Sequence, residues 1–268
     1  MAQVTVSTND GIALVRLTNP PHGFMNNDTV SELFEHVTRL NDDDDVRVVA
    51  FTGGMDGIFI RHFDTHLLGE MSDGLRARNL TFSDQRLLPI REIDHLFEAM
   101  ETSPKPMIAA INGTCMGGGL EFSLACDFRY AAAGDYTIGP IESRLGILPG
   151  AGGTVKLARL IGQAQALDLC LKGRAISPAE AHKIGVVHDV VDGDVVDHAR
   201  AQAQQMAALP AKALGHIKRL IRQSAGPIPA ELLALERTLF LDLLVTDEAR
   251  DLLAQYNSGT LDITSSRD

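Results

Sequence analysis

The stretch that most constrains this chain is Met107 to Asp127, where the apolar run Met107-Ile108-Ala109-Ala110-Ile111 stops at Asn112-Gly113 and Gly117-Gly118-Gly119 leads into Leu120-Glu121-Phe122-Ser123-Leu124-Ala125. The first run has the length and composition of a buried strand, and the second reads as an apolar helical segment. Glycines between them permit close backbone approach. A helix that begins inside the glycine run aims unpaired amides, including that of Gly118, at a ligand oxygen, and its dipole favours developing negative charge. Oxyanion holes are commonly built in this way.

Glu121 follows Gly118 by three residues, in the first helical turn beside those amides, yet its neighbours are apolar. On this segment alone it serves either the helix dipole or chemistry, and the second role needs a partner. Glu142 is the candidate, in an apolar loop between Ile138-Gly139-Pro140-Ile141 and Leu145-Gly146-Ile147-Leu148-Pro149-Gly150, with Arg144 nearby as an ordinary ion-pair partner. Two glutamates brought together by folding raise at least one pKa toward neutrality, so that one carboxyl donates a proton while the other accepts one. Such a pair suits reversible addition of water.

Around this centre the chain alternates in type. Val4 to Leu17 reads as a hairpin turning at Asn9-Asp10-Gly11. Thr29 and Glu32 have capping-box spacing ahead of a helical face of Val30, Leu33, Phe34, Val37 and Leu40. Val46 to Thr52 reads as a buried strand, and residues 65–86 as a polar, poorly periodic stretch suited to covering a substrate. A helix through Ile90 to Met100 and a strand at Phe128 to Ala132 follow. Ser177-Pro178-Ala179-Glu180 combines an N-cap, a first-turn Pro and a capping-box Glu; Gly185 stands at a C-cap, and a strand Val186 to Val191 comes next. From Asp194 onward three helices are expected, near 194–208, 210–223 and 229–256, with a boundary at about 195. The whole predicts a mixed α/β core of layered sheets over 1–195 and a helical region over 196–268.

Several functions find no support in the residues. Gly150-Ala151-Gly152-Gly153-Thr154 lacks the Lys-Ser/Thr of a P-loop, and Val155 stands where a dinucleotide fingerprint needs Gly. No HExxH or GxSxG occurs, and His62 with His66 supply two potential ligands without a third, so no metal site is predicted. Cys115, Cys126 and Cys170 are odd in number and without CxxC spacing, which predicts reduced thiols. A net charge of −11 without a basic cluster argues against nucleic acid. With neither an apolar span nor a basic-then-apolar leader visible, a soluble, cytoplasmic protein is expected.

These segments together resemble the enoyl-CoA hydratase/isomerase (crotonase) superfamily, above all Ile111-Asn112-Gly113-Thr114-Cys115-Met116-Gly117-Gly118-Gly119-Leu120-Glu121, and Glu142 seven residues before Pro149-Gly150-Ala151-Gly152-Gly153-Thr154. The resemblance implies a crotonase-like spiral of strand-strand-helix units with a C-terminal helical trimerisation region, and a homotrimer or dimer of trimers. It implies an acyl-CoA thioester as substrate, with no cofactor beyond the CoA that enters with it. Glu121 and Glu142 become the catalytic acid/base pair, adding water to a 2-enoyl-CoA, and Gly118 gives one oxyanion-hole amide. The alternatives on the same scaffold are an enoyl-CoA isomerase, a hydratase-lyase, or a catalytically impaired CoA-ester-binding homologue.

The chain departs from the family pattern at Phe59-Ile60-Arg61-His62-Phe63-Asp64, where small residues are usual. Arg61 is expected to supply the second oxyanion amide through its backbone, and Arg61, His62, Phe63 and Asp64 to line the substrate groove. Two further departures are Pro21-His22-Gly23-Phe24-Met25-Asn26, in place of the common CoA-binding segment, and Ala249-Arg250-Asp251-Leu252-Leu253, which lacks a frequent Glu-Gly element.

Overall fold

A computed structural model describes residues 2–224 and 230–263. The N-terminal hairpin pairs β1 (Val4–Asn9) antiparallel with β2 (Ile12–Leu17). Helix α1 (Asn27–Asp42) follows, then β3 (Val48–Gly53), β4 (Gly57–Ile60), α2 (Thr65–Ala77) and α3 (Glu92–Thr102). The next unit is β5 (Met107–Ile111), β6 (Gly113–Met116) and α4 (Gly118–Ala125). It is succeeded by β7 (Phe128–Ala132), β8 (Ile138–Gly139), a 3₁₀ turn Glu142–Leu145 and α5 (Gly153–Lys172). Then come α6 (Pro178–Lys183), β9 (Asp189–Val191), α7 (Val195–Ala207), α8 (Ala211–Ser224), α9 (Ala230–Leu244) and α10 (Asp247–Asn257).

One sheet runs in the order β1-β2-β3-β5-β7-β9, and the strands that directly follow β3, β5 and β7 form another, β4-β6-β8. All pairings except β1–β2 are parallel. Each chain segment therefore crosses from one sheet to the other and returns by a helix, so successive strand-strand-helix turns stack as a spiral. The crossing needs a sharp corner. Asn112 clamps the corner of the preceding turn, its Oδ1 accepting the Gly53 amide (2.9 Å) and its Nδ2 donating to the Gly53 (3.2 Å) and Met55 (3.3 Å) carbonyls. Gly113 is required beside it, because a Cβ there would lie 1.9 Å from the Gly57 carbonyl carbon.

The larger sheet is buried on both faces, which explains the near-continuous apolar runs of its strands. Ala13, Val15, Val49, Phe51, Ala109 and Ile111 face α1, α3 and α4. Ile12, Leu14, Val48, Ala50, Ile108 and Ala110 face Val195, Ala199 and Ala203 of α7. The helix that opens the region after 195 thus completes the core of the first.

Three local expectations are corrected, and one helix was not expected. The capping box of α1 is Asn26 with Thr29, and Glu32 instead accepts the Gln3 and Val4 amides (2.8 Å each). The polar stretch after Asp64 contains α2, which buries Thr65, Leu68 and Ser72, an inner face too hydroxyl-rich to register as apolar. The helix α5 was hidden behind the glycine-rich loop and is kinked at Gly162 (φ 79°). The expected helix 229–256 is two helices: Thr246 breaks it by capping the Ala249 amide (3.1 Å), while residue 229 lies outside the described residues.

Candidate active site

Helix α4 starts at Gly118 because Gly117 takes φ +49°, a conformation open to glycine, and donates its own amide to the Gly139 carbonyl (2.9 Å). Every residue of α4 is buried, with Phe122 packed edge-on against Phe51 at 5.1 Å. Glu121 is the one charged residue among them. Its Oε1 accepts the Ala151 (2.7 Å) and Gly153 (3.0 Å) amides at the start of α5, so the glycine-rich loop, which carries no nucleotide fingerprint, cradles a carboxylate of the protein itself.

Glu142, in the 3₁₀ turn, meets α4 from the other side. A Cβ at position 117 would sit 2.9 Å from its Oε1, so the glycine leaves the space that the carboxyl occupies. Its Oε2 is buried and has no hydrogen-bond partner among the described residues. Arg144 does not supply one to that oxygen; its Nη1 donates to the Ile263 carbonyl (2.7 Å). Burial, then repulsion from Glu121, pushes the Glu142 carboxyl well above the usual range. Burial also raises Glu121, but two amides and the Arg91 and Lys156 charges oppose it. Of the two, Glu142 is the proton holder and Glu121 the better carboxylate.

The segment 61–64 differs from expectation. The Arg61 amide donates to the Gly23 carbonyl (2.9 Å) and its Nε to the His22 carbonyl (2.8 Å), so Arg61 has no amide left for an oxyanion. The free amide is that of Phe63. Met25 pairs with Phe63 as a parallel bridge, bonding the His62 carbonyl and the Asp64 amide, which turns the Phe63 N–H to the opposite side. A Cβ on Gly118 would lie 3.3 Å from that nitrogen. Neither the Phe63 nor the Gly118 amide donates to a protein acceptor among the described residues. His62 is buried, its Nδ1 donating to the Phe63 carbonyl (2.7 Å) and its Nε2 accepting from the Tyr256 hydroxyl (2.8 Å). Burial lowers its pKa to about 4, so it is a neutral linker between this segment and α10. Asp64 caps α2 through the His66 amide (2.9 Å).

A residue not anticipated completes the group. Glu236 of α9 is buried, its Oε2 accepting the Gly152 amide (2.5 Å) and its Oε1 the Thr154 hydroxyl. Its sequence signal was the same as for Glu121: an acid within an apolar helix, here Ala234-Leu235-Glu236 to Leu239-Phe240.

Two buried glutamates flanking a glycine-started helix, opposite a second free amide, are what the resemblance to acyl-CoA enzymes requires, and the family model for enoyl-CoA hydratase/isomerase matches residues 7–258. The chain belongs to that family. Among its relatives is the mitochondrial enoyl-CoA hydratase domain-containing protein 2 of Mus musculus, 32% identical over 90% of this chain and 75% of that one. A peroxisomal fatty acid beta-oxidation multifunctional protein of Arabidopsis thaliana is 34% identical over 74% of the chain, which spans only 26% of that longer protein. Neither name supports a cytoplasmic location. An enoyl-CoA hydratase of Geobacillus kaustophilus superposes with a TM-score of 0.76 at 27% identity, covering 97% of this chain and 96% of the other. The human mitochondrial delta3-delta2-enoyl-CoA isomerase shares the fold, with a TM-score of 0.80 at 24% identity over 96% and 97% of the two chains. The spiral of strand-strand-helix units is thus the crotonase fold. Among the described residues no helix is long and apolar enough to cross a membrane.

Proposed function

We propose that this member of the family is an enoyl-CoA hydratase, adding water reversibly across the double bond of a 2-enoyl-CoA. The observation that carries the proposal is the buried Glu121/Glu142 pair, one carboxyl held by two amides and the other with its Oε2 unpartnered among the described residues, beside two free amides.

In the forward direction the thioester oxygen sits between the Gly118 and Phe63 amides, which stabilise the negative charge as the enolate forms. Glu121 accepts a proton from water while the water oxygen bonds to the β-carbon. Glu142 delivers its proton to the α-carbon, and the proton held by Glu121 restores the pair for the next turnover. No metal or redox group enters this scheme, and CoA arrives with the substrate.

The exposed apolar residues Leu167 and Leu171 of α5 and Ile217, Leu220 and Ile221 of α8 support self-association, in keeping with the expected homotrimer or dimer of trimers. Light scattering at three or six times 28.9 kDa is the expected result.

Incubation with crotonyl-CoA and longer or aromatic 2-enoyl-CoAs tests the reaction. The expected product is heavier than the substrate by one water; a product of unchanged mass with a moved double bond, or no turnover across the panel, refutes hydration.

A further inference from the structure

The first turn of α5 holds two carboxylates on alternate donors. Glu121 takes Ala151 and Gly153, and Glu236, arriving from α9, takes Gly152 and Thr154. Capping a helix start ordinarily needs only a local Ser, Thr or Asp. A third acid buried beside two others is an expensive substitute, because its charge is desolvated and repelled.

We infer that Glu236 is a positioning residue of this site: it fixes residues 152–154 so that the flanking amides face Glu121, and its charge adds to the repulsion that keeps a proton on the buried acids. The inference rests on the hydratase reading for its consequence in turnover. The titratable and charged groups around Glu236 are Glu121 of α4, Glu142 of the 3₁₀ turn, and Lys156 and Cys170 of α5. Lys156 is diverted from full neutralisation by its ion pair with Glu101 (2.7 Å) and its seat over the Phe97 ring. Burial, together with Glu121, raises Glu236 to about 7, so its charge grows as pH rises through neutrality. That charge in turn raises Glu142.

Glu236→Gln keeps the shape: its carbonyl accepts from Gly152, and its amide donates to a reversed Thr154 hydroxyl. With the charge gone, Glu142 loses its proton more readily. The basic limb of the kcat/KM profile is expected to move about one unit toward lower pH, with kcat reduced more than KM is changed. Thr154→Val, which removes a donor that lowers the Glu236 pKa, is expected to move the limb the same way by less. Profiles that overlay the wild type for both variants, whatever happens to thermal stability, would overturn the inference.

An infrared difference titration of the carboxylic-acid band gives a readout that needs no turnover. After the Glu236 contribution is lost, the remaining buried acid should deprotonate at lower pH in the variant; an unchanged midpoint refutes the coupling. If no thioester is turned over, the hydration proposal fails while this titration still decides the role of the Glu236 charge.

Discussion

Glu142→Gln should stabilise the fold increasingly as pH rises while it abolishes activity. A buried acid whose folded-state pKa is raised holds a proton that the unfolded chain gives up above about 4.5. Folding then requires proton uptake, so stability is greatest below that value and falls as pH climbs. Each pH unit in the window costs about 1.4 kcal/mol for one fully retained proton. The glutamine amide does not titrate, and it leaves the same unpartnered position that Glu142 Oε2 occupies, so that constant cost of about 1–3 kcal/mol largely cancels in the comparison. Between pH 5.5 and 7.5 the variant is expected to gain at least about 1 kcal/mol over the wild type, or roughly 2–4 °C in Tm for a chain of this size. Urea and thermal unfolding at fixed protein concentration measure it. A difference that is flat with pH, or a variant that loses ground as pH rises, refutes the assignment of the proton to Glu142.

Glu121→Gln should leave folding intact and lower kcat by a factor of about a hundred or more, read in the same hydration assay. In Gly117→Ala the new methyl meets Glu142 Oε1 at 2.9 Å in a left-handed backbone, so activity should fall with a stability loss of about 1–2 kcal/mol by urea unfolding. Arg61→Ala should leave kcat within a fewfold of wild type, because the guanidinium Nε is spent on the His22 carbonyl and the backbone amide survives the change; a hundredfold loss would give the Arg61 side chain a part in turnover.

The residues declared the centre of the fold more clearly than its periphery. Met107–Glu121 was readable because burial on both sheet faces, the Asn112 corner and the Gly117 start each demand particular residues in a fixed order. The 195 boundary was less informative: Val195, Ala199 and Ala203 alternate too modestly with polar residues to announce that they seal the sheet. The exchange of Arg61 for Phe63 as the free amide had no sequence signal, since backbone direction there is set by the bridge to Met25. Glu236 was visible as an odd acid in α9, but its meeting with Gly152 depends on how the C-terminal helices fold back.

The most direct test of the central claim is hydration in oxygen-18 water with mass detection, comparing wild type, Glu121→Gln and Glu142→Gln on the best 2-enoyl-CoA of the panel. A 3-hydroxyacyl-CoA carrying one heavy oxygen from the wild type, and at least about a hundredfold less from each variant, is the expected result. A labelled product formed equally fast without either carboxyl would contradict it.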